Sequence, residues 1–237
     1  MDKKRISRKS GYAVVCMAVL MIGIAVTVMH PVRTYAAKPT RWSKLWNKYR
    51  DKKNTDRLIF VKYTGGSSCK VLMYKKVLRK NGTYRWKRIL SCPGYVGQNG
   101  IGKTREGDRK TPTGTFRIGE AFGILDDPGT GLAYTKVNRH LYWSGEYGTY
   151  NKMVDDRELG HVPENSEHLA DYVPHYHYAL DIGYNRKCVY GKGSAIFMHC
   201  FGSNPYTGGC IAVSEEDMKT VLLNVTRKTR ICIYPIR

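Results

Sequence analysis

Residues Thr207 to Ser214, TGGCIAVS, place one cysteine directly behind two glycines and ahead of an apolar pair and a serine. Gly208 and Gly209 admit backbone conformations and close approaches that side chains would block, so the N–H groups around Cys210 can turn toward one point. That is how an oxyanion hole is built. A thiol at that spot becomes a nucleophile when a nearby base raises its thiolate share. The nearest histidine is His199, eleven residues upstream, and the loop CFGSNPYTGG can bring imidazole and thiol together. The pair is a candidate nucleophile and base for acyl transfer. The same residues also fit a plainer role: Cys210 as a small buried hydrophobe in a turn, and His199 as a satisfied sheet residue.

A second motif is deceptive. GQNGIGKT, Gly97 to Thr104, matches the phosphate-loop pattern letter for letter. That pattern needs a helix opening at its lysine, so that backbone amides and the helix dipole converge on phosphate. Here the lysine is followed by REGDRKTPTG, whose two glycines and proline cannot sustain a helix. The match is set aside as chance. EGDRKTPTGTF itself reads as a turn leading into a strand, with Pro112 and Gly114 sufficient to explain it. His161, His175 and His177 have no partner that the sequence identifies.

The elements that must position these residues are short. RLIFVKY, KVLMYKKVL and TYRWKRIL are apolar runs divided by Gly, Asn and Pro, and predict strands joined by hairpin turns. YHYALDIGY alternates, with Tyr176, Tyr178, Leu180, Ile182 and Tyr184 on one face. SAIFMHC is another strand, whose alternation sets Ala195, Phe197 and His199 on one face and Ile196, Met198 and Cys200 on the other. Cys200 should therefore point away from whatever His199 faces. Ser214 and Asp217 form a helix-start signal, and Met218, Val221, Leu222 and Val225 the apolar stripe of that helix. RICIYPI adds a last strand, and the chain reads as a mostly β domain with its own core.

Upstream, the texture differs. MDKKRISRKSGY is basic and Tyr12 to Met29 is almost uninterruptedly apolar, so residues 1–37 read as an export signal peptide or an N-terminal membrane anchor. Thr34-Tyr35-Ala36 supplies small residues at the usual cleavage places, and the basic flank sets the rest of the chain outside the membrane. Residues 38–55 form a basic amphipathic linker, in which Trp42, Leu45, Trp46 and Tyr49 share one helical face. That face could lie on a membrane or wall surface, pack on the domain, or belong to a spacer. The net charge is +21. A surplus of that size implies polyanionic surroundings, and export turns the expectation from nucleic acid toward anionic wall polymers. Cys16 lies in the leader, and six further cysteines stand at 69, 92, 188, 200, 210 and 232 with no C-x-x-C spacing, which argues against a structural zinc site.

IFMHCFGSNPYTGGCIAVS, with EGDRKTPTGTFRIG upstream and DIGYN between, closely resembles the YkuD-type L,D-transpeptidase family, in particular a branch with a short His-to-Cys loop and a Thr-x-Gly-Cys signature. The resemblance covers about 56–237. It implies a β-sandwich-like catalytic domain with a few short helices, Cys210 as nucleophile, His199 as base, and the Gly208, Gly209 and Cys210 amides as oxyanion donors. It implies peptidoglycan stem peptides as substrate, no metal or organic cofactor, and a place on the outer side of the cytoplasmic membrane, in the cell wall. Better-known members carry a histidine where this chain has Gly208 and an arginine where it has Ala212, so contacts made by those side chains do not transfer. Trp143, Tyr150-Asn151 and Glu167-His168 also echo the branch, as groove walls or as packing. An L,D-carboxypeptidase on the same stems and a catalytically idle wall-binding protein are the competing expectations.

Overall fold

The computed structural model of the chain describes residues 39–236, so the leader expected over 1–37 lies outside the described residues. No helix among the described residues is long and apolar enough to cross a membrane. Thirteen strands carry the fold: β1 (Arg57–Gly65), β2 (Ser68–Leu78), β3 (Tyr84–Tyr95), β4 (Gly114–Arg117), β5 (Ala121–Gly123), β6 (Tyr134–Lys136), β7 (Leu141–Trp143), β8 (Met153–Asp155), β9 (Glu167–His168), β10 (Ala179–Asp181), β11 (Phe197–Cys200), β12 (Ile211–Val213) and β13 (Thr229–Pro235). Three short helices accompany them: α1 (Arg41–Arg50), α2 (Asp156–Leu159) and α3 (Glu215–Asn224). The mostly β expectation holds.

Ten strands form one sheet in the order β4-β13-β1-β2-β3-β12-β11-β10-β5-β6, and a second sheet runs β8-β7-β9. β1 has no polar alternation because both of its faces are covered. Leu58 and Phe60 turn to one apolar cluster with Trp42, Leu45, Leu72 and Trp86. Ile59 and Val61 turn to the other, where Val71, Met73, Met198, Ile211 and Val213 meet Met218, Val221 and Leu222 of α3. Ser214 caps α3 by accepting from the Asp217 amide at 3.1 Å, and the stripe read from the sequence is the face it buries.

α1 supplies Trp42 and Leu45 to the first cluster. Two indoles fix its seat: its own Trp42 Nε1 donates to the Ile236 carbonyl at 3.1 Å, and Trp86 Nε1 of β3 donates to the Trp46 carbonyl at 3.1 Å. Of the three roles open to the amphipathic segment, the helix takes packing on the domain.

A third apolar cluster, Phe122, Trp143, Leu169, Tyr176, Ala179, Phe197 and Cys210, joins the ten-stranded sheet to the smaller one. Alternation along β11 thus separates Phe197 on this side from Met198 and Cys200 in the core beneath α3. One expectation needs correcting. Tyr176 does not continue the face of Tyr178, Leu180 and Ile182, because His175–His177 is a 3-10 turn, closed by Tyr176 N–H to the Tyr172 carbonyl at 2.7 Å and His177 N–H to the Pro174 carbonyl at 3.0 Å. The turn rotates Tyr176 into the third cluster.

Candidate active site

β11 and β12 are parallel neighbours, with His199 in register with Ala212. Cys210 precedes β12 by one residue, two positions before Ala212 and on the same face, so His199 and Cys210 are diagonal neighbours on adjoining strands. Both line one cavity of about 820 Å³, with Gly208, Ala212 and Thr207. Both are buried.

The imidazole has a defined tautomer. His199 Nδ1 lies 2.7 Å from the Cys200 carbonyl, which can only accept, so Nδ1 carries the proton and Nε2 is the free base. Burial holds this imidazole well below its ordinary value, at about 4, with His175 adding a second, weaker push. The two rings stand 5.8 Å apart. The Cys210 thiol is pushed up to about 12, first by burial and then by Glu167, while the Phe197 amide and Lys103 pull the other way. At neutral pH the resting pair is therefore thiol and neutral imidazole. Sγ donates to the Ala195 carbonyl at 3.1 Å and accepts from the Phe197 amide at 3.2 Å.

The backbone around the thiol is fixed from two loops. Thr111 Oγ1 and Thr207 Oγ1 donate to the Cys210 carbonyl at 3.0 and 2.8 Å. Gly209 has a φ of 149°, and a Cβ there would stand 3.0 Å from the Lys110 carbonyl and 3.1 Å from Ile196, so only glycine fits. Its amide is not an oxyanion donor as expected: it donates to Thr207 Oγ1 at 3.1 Å, a local turn in which the threonine side chain captures the amide two residues on. The amides of Gly208 and Cys210 are engaged by no group among the described residues. Gly208 has open space where a Cβ would be, so its glycine leaves room in the cavity rather than meeting a backbone demand.

Other groups gather around the thiol, and two of them, Asn151 and Glu167, belong to the stretches that echo the family branch. No helix follows GQNGIGKT, and Lys103 is instead buried, its Nζ 2.8 Å from Asp108 Oδ1. Burial alone would raise the Asp108 carboxyl, but Lys103 and the amides of Thr104, Lys110 and Arg105 hold it far below the carboxylate range. Asn151 Oδ1 accepts from Trp143 Nε1 at 2.9 Å and from the Ala195 amide at 3.2 Å, fixing the residue whose carbonyl holds the thiol. Glu106, Glu167 and His175 also line the cavity, walled by Trp143, Tyr150, Tyr172 and Tyr190. Glu106 and Asp108 had a findable signal in EGDRKTPTGTF, and Glu167 one in the Glu167-His168 pair, but nothing local marks His175 as a neighbour of Cys210.

Outside the cavity, His140, Asp155 and Asp156 bring three potential ligand atoms within 4.8 Å of one another. His140 is already paired with Asp156 at 2.9 Å and Asp155 with Arg157 at 2.6 Å. The six cysteines of the described residues are all free thiols.

No curated protein matches this chain. A family model, YkuD, the L,D-transpeptidase catalytic domain, matches residues 67–233 and so runs from β2 into β13. The chain belongs to the YkuD family of L,D-transpeptidase catalytic domains.

Proposed function

We propose that this protein is an exported peptidoglycan L,D-transpeptidase in which Cys210 is the nucleophile and His199 its base. The observation that carries the reading is the placement of Sγ and a free imidazole Nε2 on one face of the β11–β12 pair, open to one cavity beside two unengaged amides. Because thiol and imidazole rest neutral, the proton moves as the thiol attacks rather than beforehand. His199 Nε2 takes the Sγ proton, and sulfur bonds to the carbonyl carbon between the third stem residue and the terminal D-alanine. The oxyanion is met by the Gly208 and Cys210 amides. The imidazolium then protonates the departing amine, D-alanine leaves, and a thioester on Cys210 remains. A side-chain amine of a neighbouring stem takes the acyl group, giving a third-to-third-residue cross-link and restoring the thiol.

The domain boundaries proposed with this reading are a leader over 1–37, cleaved near Ala37 or retained as an anchor, and a catalytic domain that acts in the wall on the outer face of the membrane. The basic surplus holds it on polyanionic wall material. Incubation of the purified domain with a disaccharide tetrapeptide, resolved by mass, tests the activity. Cross-linked dimer with released D-alanine is expected. Tripeptide alone at high acceptor concentration makes it a carboxypeptidase, and no turnover with no carbapenem adduct makes it an idle wall-binding protein.

A further inference from the structure

The protein as a whole is strongly basic, yet the cavity at Cys210 is lined by two carboxylates, Glu106 and Glu167, and by a single lysine, Lys103, already paired with Asp108. Glu106 Oε2 accepts from Tyr150 and, at 2.8 Å, from Ser194, so it is held as part of the wall. Glu167 is held less completely. β9 sets it opposite Trp143 of β7, and it is half-buried. Tyr176 donates to its Oε2 at 2.5 Å, while Oε1 has no hydrogen bond among the described residues. A carboxylate inside a cavity, beside the nucleophile and with one oxygen free, is placed to receive a cation.

The second half of the reaction brings one. An alkyl side-chain amine arrives as an ammonium ion and must lose a proton before its nitrogen can attack the thioester. His199 has one proton to carry in that step, from the attacking nitrogen to the leaving sulfur, so the proton that blocks attack needs another acceptor. We infer that Glu167 is the acceptor-side base: its free oxygen binds the incoming ammonium group and takes the proton that blocks attack. The inference rests on the transpeptidase reading above. The nitrogen lone pair then adds to the thioester carbon, the carbon–sulfur bond breaks, and the second amine proton passes through His199 Nε2 to Sγ. The proton on Glu167 returns to solvent, so the cycle closes without any co-reactant.

The groups that face Glu167 fit this role. Burial is the main reason its carboxyl is raised to about 7, opposed by the Tyr176 hydrogen bond and reinforced by Glu106. Tyr172, Tyr176 and Cys210 are the other titratable groups that feel its charge, and each is itself held in its neutral form. A carboxylate raised that far is a much better proton acceptor than an exposed one and is still ionised just above neutrality.

The test separates acceptors by whether they need a base. The full domain is loaded with a disaccharide tetrapeptide and offered either Nα-acetyl-L-lysine, whose only amine is an alkylammonium, or hydroxylamine, which is neutral at pH 7. Products of transfer and of hydrolysis from the same thioester are counted by mass. In E167Q the ratio of lysine transfer to hydrolysis is expected to fall at least tenfold, while the ratio for hydroxylamine holds. Lysine transfer in the unsubstituted enzyme should rise through pH 7 and then level off, because the base is fully ionised while the acceptor is still an ammonium ion. In E167Q it should climb about tenfold per pH unit with the free amine. An unchanged lysine ratio in E167Q, an equal loss for both acceptors, or a wild-type profile that never levels off would each overturn the inference. The wild-type profile decides it even if E167Q does not fold. Absence of any thioester in the unsubstituted enzyme overturns the transpeptidase reading and this inference with it.

Discussion

Cys200 ends β11 and Cys210 stands just before the neighbouring β12, both are buried, and both thiols are pushed up to about 12, chiefly by burial. They differ in what they face. Cys200 looks into the apolar core beneath α3, and its nearest polar partner is the Tyr178 carbonyl at 3.6 Å. Cys210 looks across the opposite face of the same strand pair, at a cavity that also holds His199 and the open space over Gly208. Thiol acidity therefore does not single out Cys210 as the proposed nucleophile. A base with a free nitrogen, unengaged amides and room for an acyl group, all on one face, do.

The comparison breaks most completely at the sulfur itself. Cys210→Ala should abolish thioester formation while circular dichroism stays native, and Cys200→Ala should retain it. His199→Ala comes next. It removes the proton acceptor but leaves the amides, so acylation measured by stopped-flow with a carbapenem should fall by about 10²–10⁴. The pH profile sharpens this. With the imidazole lowered to about 4, His199 stays unprotonated well below the usual histidine range, so acylation should stay level down to about pH 5 and fall only near pH 4. A midpoint near 6.5 would mean that His199 is not desolvated as its burial requires.

Asn151 tests how the thiol is presented. Asn151→Ala frees the Ala195 amide and so loosens the residue whose carbonyl holds the thiol, and a small misplacement of sulfur can slow acylation by up to ~10². The carbapenem acylation rate should show this without a matching loss of Tm.

Much of this geometry was legible because it follows from a period of two. SAIFMHC alone separates Cys200 from His199, and the apolar run of β1 announces a strand covered on both sides. The Ser214 cap and the α3 stripe are equally local. What the sequence left open is which distant residues meet, because that depends on contacts across long separations. Glu167 reaches Cys210 only because β9 pairs with β7, and Asn151 reaches Ala195 across 44 positions. Lys103 shows both sides of this. The glycines and proline after it do exclude a helix, while its partner, Asp108, lies in the turn that they form. The Thr207 hydroxyl that takes the Gly209 amide is by contrast a local signal, two residues before the glycine.

The acidic cavity also has a stability signature. Glu167 is raised in the folded state, to about 7, so the unfolded chain ionises more readily, and its contribution is present below about pH 4.5 and lost as pH rises through 7. Glu167→Gln should therefore stabilise the protein by up to roughly 3 kcal/mol at pH 8 and by little at pH 4, read from urea unfolding at the two pH values. His199 acts with the opposite sign: its lowered imidazole makes stability fall as pH drops from about 6.5 toward 4. The smallest effect is expected at Cys200. Cys200→Ala leaves a small void in a packed core and should cost about 1 kcal/mol with no change in acylation rate.

The central claim, that Cys210 and no other thiol carries the acyl group, is tested most directly by locating the adduct. After incubation with a carbapenem at pH 7.5, the intact mass of the domain should rise by one acyl equivalent, and proteolytic fragments should place it on the peptide containing Cys210. Cys210→Ala should show no mass shift. An adduct on the Cys200 or Cys232 peptide, or a full mass shift in Cys210→Ala, would contradict the assignment.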